Sequence, residues 1–411
     1  MEALASVFAT ETQPLAECRT RKNHIRVCVI GGGGTGLALA YDLAQRGFSV
    51  ILLEKGELTS GTTGRHHGQL HCGARYAWAD SDIARECRAE SLILARIASQ
   101  CIEFNGGLFV AMDGEDPHNQ ELFADRCHDA GIPVSNVSRE TLQALEPNLS
   151  GDIRAAAAVP DASFDAFRLA MMFAAAAKSL GADIEPWREV IALETKNGRL
   201  VSARVRDHAG RETSVEADFF VNAGGAWAGR IAGLCGLPLA ITPAPGALVA
   251  VKARLVQRVI SRLRPPGDGD ILVPQRGLTI IGTTQRITEN PDFILPGEEE
   301  ISLLIQAASV MVPEFGRTPV HTAWAAARPL AGDGKSSLGR ALSRDFRLVD
   351  HEAEAGLSGF VTMIGGKATV ARAMAKTAAD FVCARTGIGS ECRTDRYALP
   401  SWREFYRRME P

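Results

Sequence analysis

The sequence predicts an α/β protein, with a lobe on a parallel sheet assembled from separated segments and a β-rich (α+β) lobe inserted between them. Three observations predict this. A strand, a glycine-rich turn, a helix and a second strand follow one another within about 30 residues near the N-terminus, the size of a βαβ unit. From Val190 the texture changes to alternating apolar residues broken by turn signals, and helical patterns return later. The chain has 411 residues, more than one ordinary core holds.

The first strand is Arg26-Val-Cys-Val-Ile30, an apolar run suited to burial on both faces. Gly31-Gly-Gly-Gly-Thr-Gly36 follows directly, then helix formers from Leu37 to Arg46 closed by Gly47. Phe48 to Leu53 is the second strand, with Glu54 at its end. Asp80-Ser-Asp82 caps a predicted helix with Ile83, Cys87, Leu94 and Ile97 on one face. Another helix is expected over Asp165–Leu180. Val190–Val221 reads as a β-meander with an Asn197-Gly198 turn and a second turn near Gly210. Ala247–Gly282 is β-rich, Glu298–Met311 helical, and a last helix spans Thr369–Cys383 after Gly365-Gly366.

Composition narrows the function. The formal net charge of -3 gives no global basic field for nucleic acid. The nine cysteines contain no C-x-x-C pair and fit neither zinc nor iron–sulfur spacing. An odd count in a large chain points to reduced thiols and a cytoplasmic setting. No apolar run reaches the length of a membrane span. The first 24 residues lack a continuous apolar core and read as a loose tail rather than a secretion signal.

Gly31-x-Gly33-x-x-Gly36 stands in the strand-to-helix context that dinucleotide binding requires. The first glycine allows the tight turn, the second lets the backbone approach a pyrophosphate, and the third lets helix pack on strand. Gly34 and Thr35 then open a helix N-terminus that faces phosphate charge. Glu54, 18 residues past Gly36, stands where a carboxylate would accept ribose hydroxyls. The stretch Gly61–Tyr76, dense in glycine and polar groups, is too long for a simple βα connection and suits a large cofactor, FAD rather than NAD. Phe219–Trp227 ends a strand in a small-residue turn, and Gly365-Gly366 gives a third point of close approach. The expected FAD-binding residues are therefore Gly31, Gly33, Gly34, Thr35, Gly36, Glu54, Lys55, Thr62, Thr63, Gly64, His67, Gly68, Val190, Ala223, Gly224, Trp227, Gly365, Gly366, Lys367 and Ala368. No metal is expected, because the histidines come with no carboxylate or cysteine set at ligand spacing.

Thr63–Tyr76, Ala84-Arg-Glu-Cys87, Asp270-Ile-Leu-Val-Pro274, Ile281-Gly-Thr-Thr284, Ala327-Arg-Pro-Leu330 and Gly365-Gly-Lys367 together resemble the glycine-oxidase-like (DAO) FAD-dependent oxidoreductases. Within that family the likeness is greatest to the flavin-bearing subunits of anaerobic sn-glycerol-3-phosphate dehydrogenases, over about residues 24 to 400. The resemblance implies a Rossmann-like FAD-binding domain with an inserted substrate domain. It places FAD binding on residues 25–105, 155–243 and 322–390, substrate binding on 106–154 and 244–321, and tails at 1–24 and 391–411.

It also implies hydride transfer to flavin from a hydroxyl of a small anionic substrate, with sn-glycerol 3-phosphate leading and dihydroxyacetone phosphate as product. Arg75, Tyr76, Arg328, Arg344 and Lys367 would surround the anion beside the flavin, where guanidinium forks match phosphate or carboxylate oxygens. His66, His67 and His71 are candidate proton acceptors. His71, within the matched L-H-x-G-x-R-Y string, leads, so the catalytic set is His71, Arg75, Arg328 and Lys367. The sequence departs from the resembling family in two places. Ala368-Thr-Val-Ala-Arg372 lacks the Thr-Tyr pair, and Gln285-Arg286-Ile287 replaces an acidic and aromatic stretch. The chain ends at Pro411 without the cysteine-rich C-terminal domain of those flavin-bearing proteins. Electrons are therefore expected to leave through a separate electron-accepting partner or carrier, with peripheral attachment to the inner face of the membrane through a partner. Two alternatives remain open: an amino-acid or 2-hydroxy-acid oxidase or dehydrogenase, and a flavin-binding electron-relay component of a larger complex.

Overall fold

Alternation of side chains along buried strands builds the first lobe. In this computed structural model, which describes residues 12–18, 20, 22–112, 118–332 and 345–407, Val27 and Val29 of strand Arg26–Ile30 point to one face and Cys28 and Ile30 to the other. Strand Ser49–Leu53 divides the same way, with Val50 and Leu52 against Ile51 and Leu53. The first set packs under helices Gly34–Gln45, Ala166–Ser179 and Ala371–Thr386. The second set meets Leu193, Leu200, Ala203 and Val205 of a three-stranded meander, Arg188–Lys196, Arg199–Asp207 and Glu212–Glu216. The result is a helix, sheet and sheet sandwich with a dry core on each side of the central sheet.

That central sheet has six strands in the order Asp183–Glu185, Ser49–Leu53, Arg26–Ile30, Phe219–Asn222, Phe360–Gly365 and Phe346–Asp350. Only the Phe346–Asp350 edge strand runs antiparallel to its neighbour. In the meander, Asn197 and Gly198 take φ of 52° and 71°, the left-handed pair that a tight hairpin of matching twist needs. Val221 belongs to the parallel sheet and not to the meander, because Phe219–Asn222 is buried on both faces between Arg26–Ile30 and Phe360–Gly365.

The second lobe is an eight-stranded sheet covered on one face by helix Glu298–Met311. Its order is Val320–Ala331, Ile241–Val251, Leu278–Gly282, Ile271–Gln275, Val259–Arg262, Gly107–Met112, Ile153–Val159 and Ser135–Val137. Ile153–Val159 and Val320–Ala331 thus pair here, although the sequence expectation gives the cofactor lobe everything from 155 and from 322. The eleven-residue run of Ile241–Val251 opposite Val320–Ala331 fixes that assignment, since backbone pairing of such length outweighs any local pattern.

Both supposed tails are docked over their described parts. Gln13–Pro14 pairs in parallel with Tyr397–Ala398, and Asn23 N–H donates to the Gly47 carbonyl at 2.9 Å. Lys178 Nζ donates to the Phe405 carbonyl at 2.8 Å, and Trp402 packs edge-on to Phe167. Apolar residues in both stretches, Leu15, Leu399 and Phe405, join the main core, which loose tails would not do.

Candidate active site

The turn between Ile30 and Gly34 is shaped by what a side chain would collide with. A Cβ at Gly31, whose φ is +115°, would lie 2.6 Å from the Ala223 carbonyl oxygen, and one at Gly36 would lie 1.9 Å from the Gly31 carbonyl oxygen. These two glycines let the strand, the helix and the turn after Asn222 close on each other. Gly33 differs: the nearest atom to a Cβ there is Thr63 Oγ1 at 3.4 Å, so this glycine opens onto space. It is also the N-cap of helix Gly34–Gln45, whose Gly34 N–H donates to Thr63 Oγ1 at 2.9 Å, and Gly33, Gly34 and Thr35 bring the positive end of the helix to that space. Glu54 braces the turn. Its carboxylate accepts from Gly32 N–H at 2.7 Å and Gly56 N–H at 2.9 Å.

The space is a cleft of about 750 Å³, within the usual range for cofactor sites. Gly31, Gly33, Gly34, Thr35, Glu54, Lys55, Thr62, Thr63, His67, Val190, Ala223, Gly224, Trp227, Gly365, Gly366, Lys367 and Ala368 all line it. Residues from 31 to 368 are thus brought to one wall system. Gly36, Gly64 and Gly68 do not line it. A Cβ would meet the Thr59 carbonyl at 2.7 Å from Gly64 and Gln275 Nε2 at 2.0 Å from Gly68, so both are packing positions, as Gly36 is. The sequence reading missed Arg188, Arg230, Asp292, Phe293 and Thr369, which also line the cleft. Arg188 lies two residues from Val190; Asp292 and Phe293 carry no motif.

A smaller cavity of about 80 Å³ adjoins the cleft, sharing His67, His71, Tyr76 and Arg328 with it. Arg75, Thr283, Thr284 and Gln285 complete its polar wall, and no carboxylate stands among its described lining residues. Arg75 is almost fully buried, donates to the Gly267 carbonyl at 3.3 Å and lies 3.6 Å from Asp270. Arg328, on strand Val320–Ala331, donates to Thr283 Oγ1 and to the Thr284 carbonyl. Lys367 Nζ sits 5.0 Å above the Tyr76 ring and is buried with no hydrogen-bond partner among the described residues. Arg344 lies outside the described residues.

His71 lines both spaces. Its backbone N–H donates to Thr369 Oγ1 at 3.2 Å, while its Nδ1 is buried with no hydrogen-bond partner among the described residues. Burial, then the charges of His67, Arg75 and Lys367, holds its pKa well below the ordinary histidine value, so the ring is neutral near pH 7. His67 is depressed in the same way, first by burial. His66 is held at about 4 by burial, and its Nδ1 accepts from Gly68 N–H at 2.9 Å. Beneath this loop the buried Asp161 accepts from Cys72 N–H at 2.7 Å and Gln69 Nε2 at 2.8 Å, tying the chain down on either side of His71. Among the described residues no group of three histidine, cysteine or acidic side chains could hold a metal ion.

These features fit FAD: a helix N-terminus on the cleft wall, a braced carboxylate 22 residues from Gly32, and glycines at each close approach. The chain matches the family model described as FAD dependent oxidoreductase over residues 26–379. It is 38% identical over 392 residues to the A1 component of the anaerobic glycerol-3-phosphate dehydrogenase of Haloferax volcanii, covering 92% of this chain and 67% of that one. It is 39% identical over 381 residues to the corresponding component of the Escherichia coli K12 anaerobic glycerol-3-phosphate dehydrogenase, covering 92% and 70%. Its fold matches glycine oxidase from Geobacillus kaustophilus with a TM-score of 0.72 at 22% identity, covering 92% and 99%. The chain therefore belongs to the FAD-dependent oxidoreductase (DAO) family and is an enzyme that uses FAD.

Proposed function

We propose that this enzyme oxidises a hydroxyl of a small anionic substrate, sn-glycerol 3-phosphate before others, to the ketone dihydroxyacetone phosphate. The observation that carries the reading is the 80 Å³ cavity with two guanidinium groups and a neutral histidine at the edge of the cofactor cleft. The volume suits one phosphoryl group or a few water molecules, each needing roughly 10–15 Å³. Arg75 and Arg328 bind the anionic end, where planar forks pair with phosphate oxygens. Lys367 adds positive charge beside Tyr76. His71 Nδ1 takes the hydroxyl proton. FAD, when bound, supplies the two-electron acceptor for the hydride that leaves the same carbon. The names of the Haloferax and Escherichia relatives support the choice of substrate.

A substrate ammonium would need an acceptor carboxylate, and the small cavity has none among its described lining residues, which favours a hydroxyl over an amine. The electron acceptor in this reading is a separate protein or carrier, in keeping with the relatives' designation as single subunits of an anaerobic dehydrogenase. No helix among the described residues is long and apolar enough to cross a membrane. In this reading a partner carries the protein to the inner face of the membrane. Anaerobic mixing of the yellow holoprotein with glycerol 3-phosphate, 2-hydroxy acids and amino acids tests the reading. Rapid flavin bleaching by glycerol 3-phosphate is expected. Bleaching by amino acids alone would replace the reading with an amine oxidation, and bleaching by none of them would leave an electron-relay role.

A further inference from the structure

The segment after Leu278–Gly282 does not return to its own sheet's helix directly. Arg286 N–H and Thr288 N–H first follow the edge of Ile241–Val251, donating to the carbonyls of Pro245 at 2.9 Å and Pro243 at 3.0 Å. The chain then leaves the eight-stranded sheet and crosses to the cofactor lobe. There Asp292 receives Lys55 Nζ at 3.1 Å, Trp227 Nε1 at 2.5 Å and the Arg230 guanidinium, while Asn290 Oδ1 receives Arg230 Nη2 at 3.0 Å. All three donors of Asp292 line the FAD cleft, and Lys55 Nζ also lies 4.2 Å from the Trp227 ring centroid. The next residue, Phe293, lines the cleft too and is 86% exposed, an unusual position for an aromatic ring.

We propose that residues 286–297 are a strap that retains FAD by closing the Glu54 end of its cleft, latched by Asp292 and faced by the Phe293 ring. The strap ties a loop of one lobe to three cofactor-lining side chains of the other, so it must open for FAD to enter or leave. An aromatic face at a cleft mouth suits a planar heteroaromatic group beneath it. Burial alone would push the Asp292 carboxyl up, but hydrogen bonds from Trp227, Arg230 and Lys55 outweigh it and hold it at about 2. The latch is therefore ionised at every pH of use. It is also partly exposed, with the Asp292 side chain 33% accessible, so salt should weaken it. The inference rests on FAD as the cofactor and is independent of the substrate.

The test is the rate of FAD release from the holoprotein, followed by recovery of flavin fluorescence after dilution at several salt concentrations. Asp292→Asn keeps the shape and one acceptor but removes the charge. Release should quicken about fivefold to tenfold, the loss of one or two partly screened ion pairs. Salt should quicken release from the wild type and have much less effect on the variant. Phe293→Ala, at a position too exposed to affect folding, should also quicken release while the melting temperature of the apoprotein stays put. Release from both variants at the wild-type rate and with the wild-type salt dependence would overturn the proposal, and so would a Phe293→Ala effect matched by an equal loss of apoprotein stability.

Discussion

Replacing Glu54 with glutamine should loosen FAD without emptying the fold of its core. In the structure one carboxylate oxygen takes Gly32 N–H and the other takes Gly56 N–H, which leaves each oxygen a further lone pair toward the cleft. Glutamine keeps one acceptor and turns an NH₂ group toward the other amide, donor against donor. Two losses follow. A charged acceptor disappears from the ribose position, worth about 1.5–3 kcal/mol, so the FAD dissociation constant should rise about 10- to 150-fold. One partly buried amide also loses its partner, at about 1 kcal/mol or more, which should lower the apoprotein melting temperature by about 1–2 °C. Titrating apoprotein with FAD and following fluorescence quenching gives the first quantity, and thermal unfolding without FAD gives the second. A dissociation constant within twofold of wild type, with the melting temperature lowered, would refute the ribose role and leave Glu54 as a brace of the glycine turn alone.

Three other outcomes are expected. Gly33→Ala should leave apoprotein stability unchanged, since its φ of -80° and a nearest atom at 3.4 Å accommodate a methyl group, yet should reduce FAD content on purification. Full flavin occupancy would show that no ligand approaches that amide. Arg328→Lys and Arg75→Lys should each raise the KM for glycerol 3-phosphate about tenfold or more through loss of the planar fork, with FAD content normal; wild-type KM in both would remove the anion site. His66 is held at about 4 when folded against an ordinary value near 6.5, so between those values the unfolded chain binds more protons. Its contribution to stability is complete above about pH 6.5 and lost as pH falls toward 4. The melting temperature of His66→Asn should then fall less than that of the wild type between pH 7 and pH 5, and identical slopes would refute the assignment.

The parallel lobe was legible because its signals are local. Two-sided apolar runs, a glycine turn of fixed spacing and Asp80 before an apolar helix are each decided within a few residues; Asp80 caps as expected, and Asp165, the expected start of the next helix, is its N-cap. The cleft lining was legible for a related reason: every point of close approach demanded small residues, and those stand out at 31–36, 223–224 and 365–366. What stayed hidden depends on distant pairing. Nothing in Ile153–Val159 or Val320–Ala331 says which sheet it joins, because either sheet would accept the same alternation. Asp292 and Asn290 look like ordinary turn residues, and only the fold brings them to Lys55 and Arg230. The docked termini were hidden likewise, since Leu15 and Phe405 are too sparse to form a pattern.

The division of labour between the two sheets bears on how substrate choice could change while the cofactor stays. FAD contacts in this reading come mainly from backbone turns of the six-stranded lobe, whose glycines tolerate no replacement at Gly31 or Gly36. The small cavity instead takes Arg328 from the edge strand Val320–Ala331 of the eight-stranded lobe, and Thr283, Thr284 and Gln285 from the segment that follows Leu278–Gly282. The Gly61–Tyr76 stretch serves both, carrying Thr63 under Gly34 and His71 and Arg75 into the cavity, and Arg328 of Val320–Ala331 also lines both spaces. Of the chain's departures from the resembling dehydrogenases, Gln285 lines the small cavity and Ala371 lines the cofactor cleft beside Gly34, while the glycine turn is intact. Charge then couples the candidate base to the anion site. Arg75 and Lys367 help to keep His71 neutral when the cavity holds no anion. On the proposed reading, an anion paired with Arg75 would cancel part of that repulsion and raise the affinity of His71 for a proton, so that the base would strengthen when substrate is in place. A substrate analogue lacking the phosphate would bind without that gain, and its oxidation should be slower at the chemical step as well as weaker in binding.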